Sequence, residues 1–311
     1  MDRIAKLAIP PAWTDVWICA WPHGHIQAVG TDKAGRRQYR YHDAWRVIRD
    51  GQKFERVLDF GFALPRLRDV VERDLSLDGL VQDRVLAATT RLLDLGFFRI
   101  GGEDYAREND TFGIASLQRR HVRIRDGQMI FDYPAKGSIR RMVTISDPET
   151  LVIVEALKRR RGGDGNLFAY RVGRKWSTVR CEDINSYIRA AAQGDYSAKD
   201  FRTWSATVLA VVELARLSQP VPASATARTR AVRQAVKVVA GHLGNTPAVC
   251  RSSYIDPRAL DRFYQGESIL AAIADLGPDP DVRSRSVRER IESAVVSLVA
   301  EDSRTASEAA A

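Results

Sequence analysis

Around a single dipeptide, Asp126-Gly127, the apolar period of this chain changes from helical to strand-like. His121–Arg125 and Met129–Tyr133 flank that pair with alternating side chains, the pattern of two antiparallel strands joined by a two-residue turn. Arg140–Ile145 alternates again and predicts a third strand, which puts Lys136 in the turn between the second and third. Most of the chain beyond Phe54 otherwise carries helical spacing. The predicted helices are Phe54–Arg73 with an interruption at Pro65, Asp78–Leu95 stopped by Gly96, Leu151–Arg161, Ser205–Leu217, Thr229–Leu243, Ala259–Leu276 and Asp281–Glu301. A short antiparallel sheet set among helices places the chain in the α+β class.

The first fifty residues have another character. Four of the six tryptophans, Trp13, Trp17, Trp21 and Trp45, fall there. Strands are expected over Val16–Trp21, His25–Gly30 and Gln38–Tyr41, separated by Pro22-His23-Gly24 and Lys33-Ala34-Gly35 turns. The expected organisation is a β-rich domain over residues 1–50, a mainly helical domain with a three-stranded antiparallel sheet over 51–302, and a disordered tail over 303–311.

Lys and Arg number 48 against 39 acids, a formal charge of +9, and such a surplus points to a polyanionic partner such as nucleic acid. The three cysteines, Cys19, Cys181 and Cys250, are scattered and odd in number, which fits no disulfide framework or zinc spacing and suits a reducing cytoplasm. The start lacks the apolar run of a signal peptide, and no apolar run reaches the roughly 18 residues of a membrane span. Neither a paired-carboxylate constellation nor a Gly-rich phosphate loop is present, and His23-Gly24-His25 reads as a turn pair rather than a metal fragment. Lys158-Arg159-Arg160-Arg161 reads as a solvated helix end open to phosphate contact. Phosphate chemistry on this chain would therefore run on cationic side chains, without metal or nucleotide cofactor.

Cleaving a phosphodiester that way needs an in-line nucleophile, donors for the non-bridging oxygens and an acid for the leaving oxygen. Arginine suits the oxygens, because its fork donates two bonds and keeps its charge. Lysine suits the acid, because nearby cations lower its pKa. Tyrosine suits the nucleophile, because its phosphoester conserves the bond energy. Phe97-Phe98-Arg99-Ile100-Gly101-Gly102-Glu103-Asp104-Tyr105, followed by Glu108-Asn109-Asp110-Thr111-Phe112-Gly113, resembles the segment of type IB DNA topoisomerases that holds their first catalytic arginine. On that resemblance Arg99 is this arginine and Tyr105 a DNA-contacting tyrosine. Tyr133-Pro134-Ala135-Lys136-Gly137 resembles the hairpin whose lysine, here Lys136, is the general acid. Lys199-Asp200-Phe201-Arg202-Thr203-Trp204 resembles the second arginine box, making Arg202 catalytic and Lys199 a DNA contact. Leu243-Gly244-Asn245-Thr246-Pro247 resembles a Gly-His-Thr-Pro box with asparagine for histidine, as in bacterial members, and Tyr254, nine residues on, matches the nucleophile. An amide still donates one hydrogen bond to a phosphate oxygen but carries no charge.

Ala8–Val16 and Gly35-Arg36-Arg37-Gln38-Tyr39-Arg40-Tyr41 also resemble family segments, and the resemblance implies DNA contacts from Gln38, Tyr39 and Tyr41. Family members carry further residues, including a β-hairpin, before the Ile-Pro-Pro segment, so the N-terminal clamp is expected to be short at its start. The resemblance covers roughly residues 4 to 265. It implies the catalytic fold shared with tyrosine recombinases. It also implies an ATP-independent, metal-free enzyme that relaxes supercoiled double-stranded DNA through a 3′-phosphotyrosyl intermediate, acting as a monomer in the cytoplasm, at the nucleoid. Two alternatives stay open. A tyrosine recombinase uses a related residue set, although it usually has histidine where Lys199 stands and leads with a helical domain. A DNA-binding protein without catalysis would bind and form no covalent adduct.

Overall fold

The computed structural model describes residues 2–102, 106, 108–218, 221–277 and 284–308. The chain divides into two compact units, Met1–Arg56 and Val57–Ala311.

In the first unit a short helix, α1 (Asp2–Lys6), precedes a three-stranded antiparallel sheet of order β1 (Thr14–Ile18), β2 (Ile26–Thr31), β3 (Arg37–Tyr41). Trp13 lies flat on Gly30, where a Cβ would come within 2.6 Å of the indole ring. The β2–β3 turn is closed by Asp32, whose carboxylate accepts from the backbone N–H of Ala34 at 2.9 Å and of Arg36 at 3.0 Å. These bonds hold the Asp32 carboxyl down at about 2, with the Arg36 bonds contributing most. Helix α2 (Asp43–Leu75) begins directly after the sheet, so Trp45 is helical and the β region is shorter than expected. The boundary between the two units falls inside this helix.

Helix α2 also runs through Pro65 without the expected interruption. The carbonyl that a proline ring crowds lies four residues back, at Gly61. The absent side chain at Gly61 lets Trp204 pack within about 3 Å of where a Cβ would stand, so tertiary packing carries the helix past the proline.

In the second unit α3 (Gln82–Gly96) buries Val85, Leu86, Leu92 and Leu93 and ends where Phe97 turns left-handed at φ 54°. The sheet β4 (Val122–Arg125), β5 (Gln128–Ala135), β6 (Ile139–Ile145) follows. Asp126 at φ 50° and Gly127 at φ 73° form the β4–β5 turn, which pairs Arg125 with Gln128 as the dipeptide requires. Val122, Met129, Phe131, Tyr133 and Ile145 form its buried face. Helix α4 (Pro148–Arg159) is capped by the Asp147 carboxylate, which accepts from Thr150 N–H at 3.2 Å. The basic run at its end is solvated only at Arg159 and Arg161. Lys158 donates to Val122 O at 2.6 Å, and Arg160 is buried and donates to Leu157 O and Leu167 O. A hairpin that periodicity did not predict, β7 (Ala169–Val172) and β8 (Lys175–Thr178), comes next.

Helices α5 (Cys181–Ala192), α6 (Ala198–Leu217), α7 (Ala225–Leu243), α8 (Pro247–Ser253), α9 (Pro257–Gln265) and α10 (Arg285–Glu308) complete the unit. Alanines on α6 and α7 (Ala206, Ala210, Ala235, Ala240) let these helices approach closely over Val232, Val236, Leu243, Ile255 and Phe263. Gly266 ends α9, and a 3₁₀ turn over Ala271–Leu276 replaces the rest of the long helix expected there. Helix α10 reaches Glu308, so most of the segment expected as a disordered tail is helical, in keeping with its alanine and glutamate content. The three cysteines form no disulfide among the described residues.

Candidate active site

The segment after α3 is fixed by its neighbours. Phe98 is fully buried and meets Phe131 edge-on at 5.1 Å. Arg99 O and Ile100 O each accept a backbone bond of 2.8 Å, from Ile114 and Ala115. Gly101 crosses Gly113 so closely that a Cβ on either would lie about 2.5 Å from the other backbone. The glycines of this box thus permit a tight backbone crossing that aims Arg99.

Helix α7 ends in a left-handed Gly244, φ 63°, whose N–H returns to the helix. The carbonyls freed at that end accept from arginines. Leu243 O takes Arg202 Nη2 at 3.0 Å, Gly244 O takes Arg99 Nη2 at 3.2 Å, and Gly241 O takes Arg141 Nη1 at 3.3 Å. Arg202 also donates to Phe97 O, and Arg99 to Asn245 Oδ1. The negative end of a helix dipole thereby helps to hold a group of cations.

Thr246 caps α8, with Pro247 as its first residue, and Tyr254 follows its last turn. Tyr254 N–H bonds Cys250 O at 3.0 Å, while Thr207 Oγ1 joins Tyr254 O at 3.4 Å and accepts from Asp256 N–H at 3.0 Å. The half-buried phenol ring lies 5.5 Å from the Arg202 guanidinium carbon. Burial pushes the Tyr254 phenol up, but the Arg202 charge, the nearby Asn245 amide and Arg99 together hold it below the ordinary phenol value.

No carboxylate pairs with Arg99, Arg141 or Arg202 among the described residues. Burial, followed by the Arg99 charge, pushes Arg202 down to about 10, where it is still charged at neutral pH. Burial also lowers Arg99, and Arg141 adds to that. Arg202 Nε and Asn245 Nδ2 are buried with no acceptor in hydrogen-bond geometry, although Asn245 is near enough to the Tyr254 hydroxyl to favour its ionised form. Guanidiniums without a carboxylate among the described residues, an orphan amide donor and an acidified phenol are the chemistry that suits an oxyanion. Among the described residues no group of three His, Cys, Asp or Glu is arranged to hold a metal.

The family described as eukaryotic DNA topoisomerase I, catalytic core, matches residues 42–268, and the bacterial DNA topoisomerase IB N-terminal domain matches residues 1–32. The chain belongs to the type IB DNA topoisomerase family. DNA topoisomerase 1B of Acanthamoeba polyphaga mimivirus is 32% identical over 269 residues, covering 85% of this chain and 80% of the relative. DNA topoisomerase 1 of rabbit fibroma virus is 21% identical over 91% of this chain and 87% of its own length. DNA topoisomerase 1B of vaccinia virus (strain Copenhagen) is 24% identical over 44% of this chain and 45% of the relative.

In this topoisomerase the structure brings some of the sequence-derived residues together and leaves others apart. Arg99, Arg202, Asn245 and Tyr254 are brought together. Lys136 sits exposed in the Lys136-Gly137-Ser138 turn after β5, where Gly137 and Ser138 are left-handed, and no hydrogen bond ties it to the four among the described residues. Lys199 is exposed in the first turn of α6. Gln38, Tyr39 and Tyr41 belong to the first unit: Gln38 donates to Asp32 at 3.0 Å, and the exposed Tyr39 and Tyr41 rings stack at 6.1 Å. Tyr105 lies outside the described residues. His23 and His25 contact His42 and Trp45, as ring neighbours.

Sequence reading missed two members. Arg141 faces Tyr133 across the β5–β6 register, and its charge acts on Arg99, Arg202 and the Tyr133 hydroxyl. Burial dominates at Tyr133 and raises its phenol, despite the three arginines nearby. The signal was present. Arg141 alternates with Val143 and Ile145, a cation on the apolar side of a strand.

Proposed function

We propose that Tyr254 attacks a phosphorus of duplex DNA, forming a 3′-phosphotyrosyl link and releasing a 5′-hydroxyl, so that the free end turns and supercoils relax before religation. The carrying observation is the Tyr254 hydroxyl set between Arg202, Asn245 and Arg99 with no carboxylate to neutralise them. A neutral phenol, with a pKa of about 10, is a poor nucleophile at neutral pH. The cations favour phenolate, and the proton passes to solvent.

Arg99 and Arg202 then meet the charge that grows on the non-bridging oxygens, and the orphan Asn245 amide adds a third donor. The bond from phosphorus to the 5′-oxygen breaks, and Lys136 gives that oxygen its proton. Its place at an exposed hairpin tip lets it meet DNA lying over the site. Religation reverses each transfer: the 5′-hydroxyl attacks, its proton returns to Lys136, and Tyr254 leaves as phenolate. Gln38, Tyr39, Tyr41, Tyr105 and Lys199 contact the duplex. The protein works as a monomer and draws on neither ATP nor a metal ion.

The test is relaxation of supercoiled plasmid in EDTA without ATP, wild type against Tyr254→Phe. Relaxation by wild type alone, with a covalent protein–DNA adduct, is the expected result. Relaxation by Tyr254→Phe, or strict dependence on added divalent metal, would overturn it.

A further inference from the structure

Beside the active site, between α7, β6 and the end of α3, lies a groove of about 1070 Å³. Arg141, Arg230, Arg233, Lys237 and His242 line it, and no acidic side chain does. Helix α7 itself contains no Asp or Glu. Arg230, Arg233 and Lys237 are exposed and make no hydrogen bond or ion pair among the described residues. Elsewhere this protein spends carboxylates freely on arginine, as at Arg68, Arg285 and Arg288, so a groove without any is a distinct surface.

Spacings of three and four residues put these cations in one row on the helix. Seven residues of helix cover about 10 Å, close to three phosphate-to-phosphate steps along the duplex axis at about 3.4 Å each. The row is contiguous with the reactive centre. Arg141 lines the groove and packs on Gly244, next to Asn245, while Phe97, whose carbonyl holds Arg202, lines its other wall.

We propose that this groove is a phosphate track for the duplex being cleaved, in which Arg230, Arg233 and Lys237 hold backbone phosphates flanking the scissile one. This rests on the topoisomerase reading above only for the identity of the duplex. Each phosphate neutralised contributes about 0.9 to the slope of log Kobs against log salt concentration. Arg230→Ala/Arg233→Ala/Lys237→Ala should therefore make that slope shallower by about 2 to 3, while Arg230→Lys/Arg233→Lys should keep it. Alanine is favourable at exposed helix positions, and circular dichroism checks that α7 survives.

Binding would be measured in a Tyr254→Phe background, so that it stays non-covalent, on a long duplex and on duplexes trimmed from each end in turn. The expected result is a loss of slope on the long duplex that disappears when one particular flank is removed. An unchanged slope on the long duplex overturns the proposal. So does a loss that persists on every trimmed duplex, which would assign the groove to a second DNA segment. Adduct formation by the wild type is scored separately. Its absence would sink the topoisomerase reading while leaving the slope result to stand by itself.

Discussion

The second unit contains two buried arginine clusters, and they are built on opposite principles. Arg68, 1% exposed, forks onto Asp94 at 2.9 Å and onto Glu292 at 2.6 and 2.8 Å, and Arg288 adds a bond of 2.8 Å to Asp94. Burial alone would lower its pKa, but these carboxylates raise it. Arg202, similarly buried, has no carboxylate partner among the described residues; it meets carbonyl dipoles, a phenol and the like charge of Arg99, and burial followed by that charge lowers its pKa. The first cluster is neutralised from within and binds α2, α3 and α10 together. The second stays short of negative charge, which a phosphodiester from outside would supply.

The largest effect expected from that contrast is structural. Arg68→Met leaves Asp94 and Glu292 without their main partner, and should lower the unfolding free energy by about 3–5 kcal/mol, read by urea denaturation. Adduct formation per folded molecule should not change. The same cluster has an acid limit. Burial would raise the Asp94 carboxyl, but Arg68 and Arg288 hold it well below the usual range. Its stabilisation is complete above the unfolded value of about 3.9 and is lost as pH falls toward the folded value. Acid unfolding followed by circular dichroism should therefore set in earlier for Arg288→Ala than for wild type.

Arg202→Ala should do the reverse, slowing adduct formation by about 10²–10³-fold while costing less stability than Arg68→Met, because it removes a charge that nothing balances. Equal destabilisation by the two substitutions would abolish the distinction between the clusters. Asn245→Ala should act through pH. The amide helps hold the Tyr254 phenol below its ordinary value. Without it, the rise of adduct rate with pH should move to higher pH, and the rate at neutral pH should drop about tenfold for every pH unit that the rise moves. The smallest effect is expected at Arg141→Ala, a slowing of up to about tenfold, the scale of one ordinary hydrogen bond, with Arg141→Lys recovering part of it.

Much of the Arg202 cluster was open to reading from residues and none of the Arg68 cluster was, and the failures share a cause. Asp126-Gly127 specified its turn because few dipeptides accept two positive φ values. Arg99, Arg202, Asn245 and Tyr254 were singled out by the resemblance of their boxes to the family's, and those boxes carry local constraints, such as the Gly101–Gly113 crossing and the left-handed Gly244. Pro65 misled because Trp204, 139 residues away, settles whether that helix continues. Lys158 and Arg160 misled because a basic run looks solvated until its acceptors, Val122 O and Leu167 O, fold onto it. Arg141 was passed over because only the register of β5 with β6 sets it opposite Tyr133. Local geometry was legible, and contacts made by distant segments were not.

The unmet donors of Arg202 and Asn245 have a practical consequence for handling the protein. A pocket left positive for one oxyanion accepts others, so phosphate or sulfate in a storage buffer should occupy it. An anion that binds only the folded state raises the melting temperature, by the equivalent of about 2.7 kcal/mol at a hundred times its Kd. Sulfate and phosphate also strengthen burial in general, and Arg202→Ala separates the two effects, since it should keep the general one and lose the specific one. Thermal-shift assays in phosphate would then flatter the wild type over its own active-site variants, and activity assays in the same buffer would understate it.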